Sequence, residues 1–418
     1  MKAGMNDAGQ RGVCVADVSE HSILSIADKG PFEYYDHLRE QTESPVWDEQ
    51  AKAWLVLDYA QCVDIEASED IFGNAYMSAD PVLFELKGGQ ANVTVSQGEQ
   101  HERLRKFHLA LLSAKAVKEY AVNHIEPVVK YVLAQFAARG RADLRAEFAE
   151  QVVPRVILSL MNMPWQDDVL VKRILELNEA IVAFIGNNYR GEDKKQLALA
   201  ASHELNAMLR PYVRARRENP GDDFISRVWL EAPTEYGELS EDDAIAICRE
   251  LYFAASDTTI HGSSNALYLL LTDERVREQV YADREQNVRA LIEESLRLYS
   301  VVQMRHRIAR EDTSLAGKSI KRGDMLLLVH AAANRDPAQY ECPHSAQLGR
   351  PRAAAHMAFG RGPRSCIGAQ LARNEMICMI NAVLDQLPNL RLDPNAQQPV
   401  FSGFYMRSFK PLQVVWDV

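Results

Sequence analysis

The sequence lacks what a membrane-spanning, disulfide-stapled or nucleic-acid-binding chain carries. No apolar run approaches the roughly 20 residues that a membrane span requires. The longest candidates, "ALYLLL" and "MLLLV", are far shorter. The N-terminal "MKAGMNDAGQRGVC" has no apolar centre and so does not read as a secretory signal. There are only six cysteines, Cys14, Cys62, Cys248, Cys342, Cys366 and Cys378, and no CxxC pair. That scatter argues against a zinc site and a disulfide framework. Basic runs are missing and the net charge is −11, which argues against nucleic acid as the main partner. Internal repeats, low-complexity tracts and flexible linkers are missing too. The expectation is a soluble cytoplasmic monomer, with a flexible tail over residues 1–20 and a single domain over 21–418.

What is present is a large globular composition, 47% hydrophobic and 25% charged over 418 residues. Residues 98–292 are dominated by period-3.6 segments such as "HERLRKFHLALLSAKAVKEYAV" and "VVPRVILSLMNM". "AWLVLDY", "TSLAGKSIKRGDMLLLV" and "GFYMRSFKPLQVVW" read as strands and hairpins, and "NPGDD" at 219–223 as a break between helices. The predicted fold class is mainly α with small β-sheets.

One loop stands apart. "FGRGPRSCIG", residues 359–368, places three glycines, two arginines and a proline around Cys366. Gly360, Gly362 and Gly368 permit positive φ and close backbone approach. A glycine-rich loop feeding a helix directs N–H groups at its centre, which favours a thiolate. A nucleophilic cysteine needs a general base, and only His356 is near in sequence. A lone cysteine in a turn is most often a buried structural residue. This ten-residue pattern better suits a metal held by one thiolate, for which haem iron is the known case.

The same ten residues resemble the haem-binding loop of the cytochrome P450 family, Phe-Gly-x-Gly-x-Arg-x-Cys-x-Gly, at every fixed position. "HMAFG" before it and "GAQLARNE" through its end resemble the soluble bacterial branch. The resemblance implies one large helical P450 domain, with haem b (iron protoporphyrin IX) between a long distal helix and the cysteine-loop helix. It implies Cys366 as the axial iron ligand. Phe359 would pack near the sulfur, Gly368 N–H would bond it, and Arg364 would reach a haem propionate. "HERLR" puts His101 and Arg105 on one helix turn. By itself this reads equally as a solvated basic face; by resemblance the pair binds a propionate. Arg307 in "VQMRHRIARED" is a third candidate, with Arg305 as a nearby competitor. "EESLR" sets Glu294 and Arg297 three apart on one helix face. Any single such pair is usually a surface salt bridge. The resemblance makes it a buried structural pair supporting the haem loop. "AANRDP" is a further landmark, but "PHSAQLGR" keeps only Pro343 and Arg350 of its motif, with Ala346 and Gln347 as departures.

"ELSEDDAIAICRELYFAASDTTIHGSSNALYLLL" predicts one long helix, N-capped by Ser240 with Glu241, Asp242 and Asp243 in its first turn. Thr258 is expected to bond the carbonyl of Ala254 and bend the helix. "AASDTT" resembles the family's oxygen-activation segment, with Ala255 in place of the usual glycine. The resemblance assigns Asp257 and Thr258 to proton delivery. It implies a monooxygenase that inserts one oxygen atom from O2 into a C–H or C=C bond. A peroxygenase would not need the Asp257–Thr258 pair, and neither would a haem-based sensor.

The chain carries no flavin or iron–sulfur segment, so a ferredoxin and ferredoxin reductase are the expected electron donors. Lys106, Arg361 and Arg373 are candidate docking charges. Segments placed by resemblance supply candidate pocket residues: Phe72, Tyr76, Phe84, Phe184, Leu251, Ala254, Val302, Met304, Phe404 and Met406. The expected pocket is apolar, with few charged anchors, and suits a small hydrophobic substrate, terpenoid-like or aromatic. About half of these positions are expected to be plain core.

Overall fold

The computed structural model describes residues 22–25, 30–75, 81–186 and 192–418. The expected flexible tail and Tyr76 lie outside the described residues.

The helices that build the site are α1 (Gly98–Leu111), α2 (Glu150–Leu160), α3 (Asp168–Gly186), α4 (Glu192–Glu218), α5 (Glu241–Thr272), α6 (Arg284–Leu298) and α7 (Ala369–Gln386). α4 stops at the expected break, and Asp223 caps the following helix by accepting from Ser226 N at 2.9 Å. α5 begins as the sequence predicts. Ser240 Oγ accepts from Asp243 N at 3.1 Å, and the Asp243 carboxylate accepts from Ser240 N at 3.3 Å, a reciprocal cap. Its 32 residues span about 48 Å. α2, α4, α6 and α7 all pack on it, so it is buried along most of its length, with Phe253–Ala255 and Asp257–Thr258 less covered. That explains why the segment is rich in small and apolar residues without one polar face. Gly262 sits where a Cβ would come within 3.1 Å of Met376 Sδ, so glycine allows α5 its close approach to α7.

The strands used below are β1 (Val46–Asp48), β2 (Ala53–Val56), β3 (Phe72–Asn74), β4 (Arg305–Ala309), β5 (Met325–Leu328), β6 (Val400–Ser402) and β7 (Ser408–Lys410). Among the described residues the first five form one sheet, in the order β1-β2-β5-β4-β3. Trp54 pairs with Leu326 in a parallel register, and Arg307 of β4 pairs with Leu326 and with Asn74. The period-2 pleat separates two small cores. Leu55 and Leu327 pack on one face with Tyr34 and Leu38; Val56, Leu326 and Leu328 pack on the other with Cys62 and Ile65. The main core is helical and surrounds α5. The hairpin expected in "TSLAGKSIK" forms, with Thr313 paired to Ile320. Among the described residues no helix is long and apolar enough to cross a membrane.

Candidate active site

The loop around Cys366 is held tightly. Cys366 N donates to Phe359 O at 2.7 Å, closing the loop on itself. Gly360 and Gly362 have φ of 65° and 66°. A Cβ on Gly362 would lie 2.5 Å from Glu66 O, so this position admits only glycine. Gly368 differs from expectation: its φ is −79°, and its part is to donate its N–H to the Cys366 sulfur just before α7. Cys366 is solvent-accessible, although protein surrounds its sulfur. Burial pushes its pKa up, against the pull of Arg305, Gly368 N–H, Arg373 and Arg105. The loop alone therefore does not make the thiolate that its donors suggest. A bound cation has to complete it.

Across from this loop, α5 touches α7 at Gly262–Met376 and at Ser263–Met379. Two turns earlier, Ala254 is exposed, and Phe253, Ala255, Asp257 and Thr258 around it are half-buried. Thr258 Oγ1 donates to Ala254 O at 2.7 Å, as expected. Asp257 Oδ1 accepts from Asn178 Nδ2 of α3 at 2.9 Å. Burial raises the Asp257 pKa to about 6, opposed by that hydrogen bond and by Arg145.

A group of cations lies beside the cysteine loop. Arg105 donates to Ser365 O at 2.7 Å and to Ser365 Oγ at 2.9 Å. Arg364 donates to Ser96 O at 2.8 Å and pairs with Glu69. Arg305 donates to Arg364 O at 3.0 Å. Arg307 is buried on β4, its guanidinium 3.6 Å from Glu66. His101 is buried close enough to Arg364 and Arg105 to feel their charge. Burial and then Arg364 lower its pKa to about 4, so it is neutral at pH 7 and offers a hydrogen bond rather than a charge.

Glu294 and Arg297 form the expected buried pair, with Nε–Oε2 2.8 Å and Nη2–Oε1 2.7 Å. Arg297 also donates to Asn334 O, Pro343 O and Ser345 O at 2.9, 2.7 and 3.1 Å. Asn334 Oδ1 in turn accepts from Met357 N at 2.6 Å, two residues before Phe359. The pair thus anchors the segment that enters the cysteine loop. The departure at Ala346 and Gln347 leaves this intact, because Gln347 supplies its backbone N–H to Glu294 at 2.8 Å and Arg350 adds a contact at 2.9 Å.

The match to the family model "Cytochrome P450" covers residues 64–408. The chain belongs to the cytochrome P450 family.

Pulcherriminic acid synthase from Bacillus subtilis is 29% identical over 413 residues, covering 95% of this chain and 98% of that protein. Cytochrome P450 109 from Bacillus spizizenii is 30% identical, covering 85% of this chain and 84% of that one. The solved structure of CYP109E1 from Bacillus megaterium, in complex with testosterone, superposes with a TM-score of 0.80 at 26% identity, covering 93% of this chain and 100% of that one. This P450 is accordingly a haem-thiolate oxidoreductase that uses protoporphyrin IX. The residues fit that group: an accessible cysteine, and beside it buried Arg307 with half-buried Arg105, Arg305 and Arg364, suited to two carboxylates.

The structure divides the candidate pocket. Ala254 is open, Val302 and Met406 form a half-buried bridge, and Phe404 is half-buried beside them in sequence. Phe84 is half-buried and lines a separate cleft of about 340 Å³ with Gly88, Ile245 and Ala246. Phe72, Phe184, Leu251 and Met304 are buried in the hydrophobic cores. All three expected docking charges are engaged by their own chain, Arg361 by donating to Ala354 O at 3.3 Å. Arg373 grips Glu293 through both of its oxygens, at 2.6 and 2.8 Å, and caps the Phe359 ring. Lys106 pairs with Glu235 at 3.0 Å but keeps its side chain largely exposed.

Some buried charges carry no local sequence signal. Glu66 faces Arg305, Arg307 and His330, whose Nε2 lies 3.2 Å away. Burial alone would raise its pKa, but His330, Arg305 and Arg307 outweigh burial and hold it down to about 2. Near Ala254, Lys87 sits over the Phe253 ring at 4.3 Å, and Glu250 accepts from Val93 N at 3.1 Å beside His108. Glu375 of α7 is buried, and burial raises its pKa to about 8. A carboxyl raised above its unfolded value of 4.5 stabilises fully below that value and loses its contribution as pH rises through about 8. The stability gap between Glu375→Gln and the native protein should therefore move in favour of the variant by about 1.4 kcal/mol per pH unit across this window. Urea denaturation at pH 5 and pH 8 measures it, and a constant gap would refute the buried neutral acid.

Proposed function

We propose that this P450 inserts one oxygen atom from O2 into a C–H or C=C bond of a small hydrophobic substrate. Electrons would come from an external ferredoxin and its reductase. The observation that carries the reading is the accessible Cys366 in the glycine loop that feeds α7, together with the exposed Ala254 and its hydrogen bond from Thr258 on α5, the helix that meets α7 at Gly262 and Met376.

When bound, a thiolate-ligated haem supplies oxygen activation and attack on unactivated C–H bonds. The chain's own residues do the rest. Cys366 is the iron ligand, and the Gly368 N–H, Arg305 and Arg105 stabilise its negative charge. His101, Arg105, Arg307 and Arg364 hold the propionates, with Arg305 between them. Neutral His101 still offers one ring N–H to a carboxylate, and a carboxylate beside it would raise its pKa and strengthen that bond. Phe359, capped by Arg373, closes the sulfur side. Thr258 holds an ordered water through the hydroxyl now turned to Ala254 O, and Asp257 passes protons to it from solvent. Glu294 and Arg297 are structural.

The accessible Ala254, Val302, Phe404 and Met406 would contact substrate directly. A relative crystallised with testosterone supports a terpenoid-like molecule over a charged metabolite. The exposed side chain of Lys106 supports an acidic electron donor at the cysteine side.

Thr258→Ala tests the reading. The variant should keep the red-shifted carbon-monoxide band and the substrate-induced spectral shift. Product per NAD(P)H should fall about tenfold or more while hydrogen peroxide accumulates. Unchanged coupling would remove Thr258 from the mechanism, and full activity with peroxide alone would mark a peroxygenase.

A further inference from the structure

Asn178 lies on α3, far in sequence from every motif of the site, yet it supplies the side-chain hydrogen bond to Asp257. It is 1% exposed, and Asn178 Nδ2 lies 2.9 Å from Asp257 Oδ1. Its own Oδ1 is buried without a partner. Such an atom carries a desolvation cost, which needs a reason.

The other groups facing Asp257 do not fix its charge. Arg145 is the cation on that side, and it is engaged by Glu150 at 3.1 Å and by Ser408 Oγ at 2.7 Å. Glu150 and exposed Glu179 oppose it. Lys410 acts on Glu150 and on His261, one turn further along α5; burial lowers the His261 pKa to about 3, leaving it neutral. Tyr252, two turns' reach behind on α5, is buried and un-ionised.

A lysine or arginine at position 178 would bind only the carboxylate form and lock it. An amide has both a donor and an acceptor. With Nδ2 inward it donates to the carboxylate, as the structure shows. Turned by half a rotation, the idle Oδ1 accepts from the protonated acid instead. We propose that Asn178 is a positioning residue that keeps Asp257 hydrogen-bonded in both protonation states, so that Asp257 can give up a proton toward Thr258 and regain one from solvent without losing its place. This rests on the assignment of Asp257 to proton delivery. In each cycle one O–H bond of Asp257 breaks toward an ordered water beside Thr258, and one re-forms with a proton taken from water on the Glu179 side.

The haem-loaded protein gives a direct test. The infrared band of the protonated Asp257 carboxyl, identified by its loss in Asp257→Asn, should titrate with a midpoint near 6 in the native chain. Asn178→Leu removes a charge-assisted bond from the carboxylate but only a weaker neutral bond from the acid, so the midpoint should rise by about one pH unit. The pH dependence of product per NAD(P)H should move to alkaline pH with it, while the carbon-monoxide band stays unchanged. Asn178→Ala is expected to do the same and serves if the leucine variant does not fold. An unmoved midpoint in a folded variant overturns the proposal. A moved midpoint, with coupling and rate unaltered in Asp257→Asn, instead overturns the proton-delivery assignment beneath it.

Discussion

Cys366→Ala, expressed with haem available, is expected to yield protein without the red-shifted Soret band of the reduced carbon-monoxide complex. In the native chain burial opposes ionisation of this thiol, and Arg305, Gly368 N–H, Arg373 and Arg105 act against that opposition. The loop is thus arranged for an anion that only a bound metal completes, and the affinity of the site for iron is coupled to deprotonation of this one sulfur. Removing it leaves the arginines proposed to hold the propionates, which can retain some haem weakly, so any residual absorbance should lack thiolate character. Cys378→Ala is the control. It is half-buried on α7, burial pushes its thiol pKa up to about 12, and it should leave the spectrum unchanged. Retention of the shifted band in Cys366→Ala would refute the ligand assignment.

Arg297→Ala should be the most damaging change outside the cysteine loop. The side chain is 1% exposed and satisfies Glu294 and three backbone carbonyls. Its loss would leave Glu294 buried with Arg350 as its remaining cation and strip Asn334 O and Pro343 O of a donor. Breaking a buried pair in this way costs about 3–5 kcal/mol. The segment from Asn334 to Met357 would loosen, and haem content should fall with stability. Arg297→Lys should rescue little, because an ammonium cannot reproduce the planar fork that spans both Glu294 oxygens. Chemical denaturation and the haem-to-protein absorbance ratio measure both effects. A variant within about 1 kcal/mol of the native protein would show that the network is incidental.

The pocket residues show how position in the fold decides role. Val302 and Met304 are neighbours in one irregular stretch, and both are apolar. Val302 reaches the half-buried bridge with Met406, whereas Met304 turns into the core beside Leu327 and Val329. The same holds for the docking charges. Arg373 reads from sequence as a surface charge, but it is drawn inward by Glu293 and the Phe359 ring, because α6 and α7 lie side by side.

What the sequence by itself determined is what lies within a few turns of backbone. The cysteine loop, the His101–Arg105 turn, the Glu294–Arg297 pair, the Ser240 cap and the Thr258–Ala254 bond are all encoded by spacing, since helix and turn geometry bring such residues together without the rest of the chain. Only the tertiary structure decided the charge states and the partners across the fold. Glu66 meets Arg305, Arg307 and His330 across more than 230 positions, Asn178 reaches Asp257 across 79, and Arg364 is pinned to Glu69 across 295. No local pattern encodes such pairs. They exist because packing buries polar groups that must then find partners, and burial among cations also lowers the His101 pKa to about 4.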